Sequence, residues 1–136
     1  MTKCSMLLLF AFFFSCGCTE AASALRSDTI DIRKTIIDFT ITDFIGKNIQ
    51  AKTVLDIKSK MNNVNVLLFD LEGLTVDSVF LNGNLLSFTH SGSTLQINLA
   101  SPMSLNDTAL VDVYYHGIPI AVATWGGFSY VGNYGF

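Results

Sequence analysis

The sequence predicts an all-β domain, an antiparallel β-sandwich or a large curved sheet of about seven strands. Three observations carry that prediction. Between residues 30 and 116, apolar and polar residues alternate almost without a break, which is the period of a strand with one buried face. Turns containing Gly and Asn cut this train at short, regular intervals, as in sandwiches and barrels. No stretch of useful length carries the helical period, so helices have no place in the core.

The strands follow in order. Over Ile36–Thr42, Ile37, Phe39 and Ile41 share one side, which is expected to be buried, and Asp38, Thr40 and Thr42 share the other. Asp43–Lys47, centred on Gly46, is a turn. Ile49–Lys58 alternates again, with Ile49, Ala51, Thr53, Leu55 and Ile57 on one face, so these two strands make an antiparallel hairpin. Val64–Leu71 follows the turn Met61-Asn62-Asn63 and is apolar on both faces, which assigns it to the middle of the packed structure. Val76–Leu81 ends at Asn82-Gly83-Asn84, residues that accept the positive φ of a tight turn. Leu86–His90 is expected to pair back as the return strand. Ser91-Gly92-Ser93 turns the chain into a strand holding Leu95, Ile97 and Leu99, where Pro102 interrupts pairing. Ala109–His116 is the last clear strand, with Ala109, Val111, Val113 and Tyr115 on one side.

Before this domain, residues 1–24 read as a secretory signal peptide. Lys3 gives a positive n-region, Met6–Phe14 is an uncharged apolar run, and Ala22-Ser23-Ala24 is a small-residue cleavage pattern. A membrane-spanning helix needs about 20 apolar residues, so the run is too short to span. The three cysteines, Cys4, Cys16 and Cys18, all lie in this segment. Cleavage after Ala24 leaves a mature chain with neither a disulfide framework nor thiolate chemistry. The expected location is secreted or periplasmic. Ser15-Cys16 and Gly17-Cys18 loosely fit a lipoprotein signal without its usual Leu, so a lipid anchor at Cys16 or Cys18 would instead give an outer-membrane or cell-surface lipoprotein.

Little in the chain carries chemistry. Seven basic and ten acidic residues follow position 24, a net charge of −3, and the basic ones are spread out. Nucleic-acid binding needs a clustered basic stripe and is not expected. His90 and His116 sit at strand ends without metal-ligand spacing, so strand-end hydrogen bonding is the expected role and no metal site is expected. Asp70 and Glu72, at the end of a strand, read as solvated rather than as an acid–base pair. Asn106-Asp107-Thr108 matches the glycosylation pattern but reads first as a turn. Residues 125–136 combine Trp125, Phe128, Tyr130, Tyr134 and Phe136 with four glycines and no charge. Such a segment exposes apolar area unless covered. It reads as an aromatic contact loop built on Trp125, Phe128 and Tyr130, as a last strand pair, or as the start of something further, which would make the domain incomplete.

Three stretches go beyond alternation. They are Thr40-Ile41-Thr42-Asp43-Phe44-Ile45-Gly46-Lys47, then Leu71-Glu72-Gly73-Leu74-Thr75-Val76-Asp77-Ser78-Val79, then Val113-Tyr114-Tyr115-His116-Gly117 followed by Trp125-Gly126-Gly127-Phe128. In this order the chain resembles the N-terminal domain of the aminopeptidase N family of zinc metallopeptidases, most of all secreted members from Bacteroidetes-type bacteria. The resemblance covers most of residues 30–136 and is most specific from Leu74 to Asn82. It implies a saddle-shaped antiparallel β-domain that packs on a metallopeptidase catalytic domain, its partner. The family's zinc belongs to that catalytic domain, with H-E-x-x-H and G-x-M-E-N motifs that this sequence does not contain. No catalytic, substrate or metal residue carries over. The expectation is therefore a partial, non-catalytic domain, with no cofactor and no enzyme activity of its own. The alternatives are a free-standing secreted binding module that uses the aromatic segment, or a domain that completes a separately encoded catalytic chain.

Overall fold

A computed structural model of the protein describes residues 26–120, 130–131 and 134–135. One helical turn, α1 (Arg26–Thr29), leads into β1 (Ile30–Asp43), β2 (Asn48–Ser59), β3 (Val64–Asp70), β4 (Thr75–Leu81) and β5 (Asn84–Leu86). Then come β6 (Phe88–Ser91), β7 (Thr94–Met103), β8 (Thr108–Gly117) and two short strands, β9 (Tyr130–Val131) and β10 (Tyr134–Gly135). Eight of these strands form two antiparallel sheets. The five-stranded sheet has the order β1-β2-β8-β4-β5, and the three-stranded sheet β3-β7-β6. β9 pairs only with β10. All pairings are antiparallel, as the alternation predicted, and neither sheet closes.

The turns obey their local chemistry. Asn82 (φ 49°) and Gly83 (φ 82°) both take positive φ between β4 and β5, the conformation that lets a two-residue turn follow the twist of its strands. Between β1 and β2, the Asp43 carboxylate accepts a hydrogen bond from the Ile45 N–H at 2.9 Å, and Lys47 takes φ 58°. Pro102 lies within β7, in the stretch where the ladder to β3 jumps from Val64↔Met103 to Val66↔Asn98. A residue without an N–H costs nothing there.

The core lies between the sheets. Ile57, Val79 and Val111 of the larger sheet and Leu67, Leu95 and Ile97 of the smaller are essentially sealed from solvent. The faces read from alternation for β2 and β8 are the buried ones: Ile49, Ala51, Leu55 and Ile57, and Ala109, Val111, Val113 and Tyr115.

Three expectations need correction. First, the Ile37, Phe39, Ile41 face of the first strand is not buried: Ile37 is 60% and Phe39 47% exposed. β1 runs six residues earlier than expected and forms the edge of the larger sheet, paired only with β2. A bulge at Arg33, between the pairs Ile32↔Ile57 and Lys34↔Asp56, keeps Ile30 and Ile32 on the same side as Ile37, Phe39 and Ile41. That side faces inward, but the smaller sheet does not extend beneath it. Second, β3 is an edge strand and not a central one. Its second apolar face, Val66 and Leu68, is exposed. Third, Leu86–His90 is not one return strand. Leu86 pairs with Val79 in one sheet, while Phe88 pairs with Ile97 in the other. The chain changes sheets at Ser87, whose carbonyl accepts from the Asn98 N–H at 3.1 Å.

Candidate functional site

The change of sheets at Ser87 ties the two sheets together along their β5 and β6 sides. Five strands face three, so the smaller sheet ends before it reaches β1. The result is an apolar groove of about 360 Å³. Ile32 and Ile37 of β1, Thr53 and Leu55 of β2, and Val113 and Tyr115 of β8 form its roof. Phe69 and Asp70 of β3, with Leu71 and Leu95, form its floor. The groove's main internal polar contact is the pair Thr53 Oγ1 and Tyr115 Oη, 3.0 Å apart. These two hydroxyls satisfy each other, which removes the cost of facing an apolar space.

The outer face of the larger sheet is polar. Lys52 lies 3.4 Å from the Asp112 carboxylate and 5.2 Å from the centre of the Tyr114 ring. Tyr114 meets Phe80 edge to face at 5.7 Å. Hydrogen bonding with the Tyr114 side chain and the charge of Asp112 raise the Lys52 pKa above its ordinary value, against some desolvation. Arg33, at the bulge, pairs with Asp56. These exposed contacts orient side chains and contribute little energy each.

The residues singled out from the sequence fall in different places. His90 Nε2 lies 2.7 Å from the Leu71 carbonyl. A carbonyl only accepts, so the Nε2–H donates, and His90 pins the start of the β3–β4 connection to β6. His116 Nδ1 lies 2.8 Å from Asp77 Oδ1 on the exposed outer surface. The two histidines thus serve different strand ends. Among the described residues no group of three or more His, Cys, Asp or Glu could hold a metal ion. Asp70 lines the groove, whereas Glu72 points to solvent. Asn106 takes φ 71° in a turn held by the Asp107 carboxylate, which accepts from the Ser104 N–H at 2.7 Å. Tyr130 belongs to β9. Trp125, Phe128, Cys16, Cys18 and the signal-peptide segment lie outside the described residues.

Sequence reasoning missed the groove itself. Its roof was readable strand by strand, but nothing in one strand's pattern tells how many strands lie opposite.

No family model matches the chain. The fold does match solved structures. An M1 zinc metallopeptidase from Deinococcus radiodurans, bound to a Tyr-Ser-Ala substrate, superposes on 71% of this chain with a TM-score of 0.63 and 16% identity. A two-domain M1 zinc metallopeptidase bound to L-arginine matches 74% of the chain, with a TM-score of 0.65 and 15% identity. Leukotriene A4 hydrolase from Saccharomyces cerevisiae matches 65%, with a TM-score of 0.55 and 22% identity. The chain spans only 22%, 26% and 15% of those three proteins. In fold, therefore, this chain is similar to one part of the M1 zinc metallopeptidases.

Proposed function

We propose that this chain is the N-terminal β-domain of an exported zinc metallo-aminopeptidase of the aminopeptidase N type, a scaffold for a catalytic domain that carries the zinc. The observation that supports this most is agreement between two independent routes. Three sequence stretches resemble that domain, and the superpositions on M1 enzymes cover 65–74% of the chain. The low identities support the fold directly and the function only through that agreement.

In such an enzyme, peptide hydrolysis needs a zinc-polarised water and a carboxylate base. Three protein ligands must converge on the metal. In this chain His90 is committed to the Leu71 carbonyl and His116 to Asp77. The domain's contribution is shape: a stiff antiparallel sandwich whose apolar groove and polar outer sheet offer surfaces to the rest of the enzyme. Residues 1–24 would direct export, with Cys16 or Cys18 as the lipid-bearing position if the chain is anchored.

The test is an assay of the purified mature chain with added zinc and aminoacyl chromogenic substrates. The proposal expects no turnover and no tightly retained zinc. Zinc-dependent hydrolysis, abolished by a chelator, would overturn it.

A further inference from the structure

We propose that the groove under β1 is the seat of this chain's own residues 121–127, laid antiparallel along the free edge of β3. The idea stands on packing geometry and does not depend on the functional reading above.

The chain arrives in the right place. β8 ends at Gly117, and the Ile120 side chain lies directly over Gly73, where an added Cβ would collide with it. Gly73 takes φ 70° and sits two residues beyond Leu71, which lines the groove. The described chain therefore leaves Ile120 beside the end of β3. A segment that continues from there along β3 towards Val64 is antiparallel to it, and no crossover connection is needed.

The length fits. β3 has seven residues, about 20 Å of extended chain, and the nine residues 121–129 can reach about 30 Å. The chemistry fits as well. Gly117–Phe136 contains no Asp, Glu, Lys, Arg or His, and Ala121-Val122-Ala123-Thr124-Trp125 suits an apolar site. The site needs such an occupant. β3 is an edge strand with unpaired backbone groups on one side. Beside it, Ile32, Ile37 and Phe39 present an inward side that the three-stranded sheet does not reach. One added strand would extend the smaller sheet beneath β1.

Trp125 is the only tryptophan in the chain, so its fluorescence reports on this segment alone. The test compares the mature chain with Ile37→Asp and Ile36→Asp, adjacent substitutions on opposite sides of β1. Both side chains are already about half exposed, so both variants should fold, and far-UV circular dichroism checks that they do. The proposal expects blue-shifted, poorly quenched Trp125 emission that does not depend on protein concentration. Ile37→Asp should shift it to the red and open it to acrylamide, and Ile36→Asp should not. Emission of a solvent-exposed indole in the unsubstituted chain would overturn the proposal. So would equal responses to the two substitutions. A blue shift that disappears on dilution would also overturn it, because the occupant would then be a second copy.

Discussion

The two sides of this sandwich differ although their sequences look alike. On the β5–β6 side the chain passes from one sheet to the other at Ser87, and every inward residue meets a partner across the gap. Val79, Val111 and Ile97 are fully buried there. On the β1–β3 side the inward residues have the same chemistry and the same period, yet Ile32, Ile37 and Phe39 stay about half exposed. The difference lies in strand count and not in strand quality: five strands face three. Burial is a property of what lies opposite, and the hydrophobic gain depends on area removed from water, not on a residue's type.

The sharpest way to break this comparison is to truncate one residue on each side. Ile57→Ala, at a fully buried position of β2, should lower unfolding free energy by about 2–5 kcal/mol. Ile36→Ala, on the outer face of β1, should cost about 0.5 kcal/mol or less. Urea denaturation of both variants measures the contrast. Similar costs would mean that the outer face of β1 is covered in solution.

A smaller effect tests the corner where β8 leaves the sheet. Gly73→Ala and Gly83→Ala both place a side chain at positive φ, worth about 1–2 kcal/mol of backbone strain each. A Cβ at Gly83 meets nothing within 4 Å, whereas at Gly73 it runs into the Ile120 side chain. Gly73→Ala should therefore be the more destabilising of the two, by denaturant midpoint at unchanged slope. Equal midpoints would show that Ile120 does not rest on Gly73.

The smallest effect concerns the outer face. The Lys52 pKa is raised in the folded chain. Its protonated form is thus favoured by folding, so its contribution is complete below the ordinary value of 10.5 and is lost as pH rises through the higher folded value. Melting curves on either side of that range should show a slightly steeper alkaline loss for the unsubstituted chain than for Lys52→Gln. Identical slopes would place the Lys52–Asp112 and Lys52–Tyr114 contacts outside the energetics. An exposed side chain makes this a weak effect by construction.

Much of the fold was legible in the sequence. Alternation identified the buried faces of β2 and β8 and the antiparallel class. Asn82-Gly83 located a tight turn, and Pro102 marked the break in the β7 ladder. What escaped was everything that depends on the opposite sheet. β3 looked central because Val66 and Leu68 add a second apolar face, yet it is an edge. Phe88 looked like a continuation of the strand holding Leu86, because sheet switching leaves no break in the period. The bulge at Arg33 was hidden because one extra residue between two alternating runs resembles an ordinary phase slip. Of the candidate site, the roof residues were visible as strand faces, but the groove was not, since a gap is made by a strand that is not there.

Amide hydrogen exchange along the two sheet edges, on the mature chain at a dilution where it is monomeric, tests the central asymmetry most directly. The account predicts fast exchange for the outward-facing amides of β1, which has a neighbour on one side only. It predicts slow exchange for the outward-facing amides of β3, because residues 121–127 pair with them. Outward amides of β3 that exchange as fast as those of β1 would contradict it and leave the groove open.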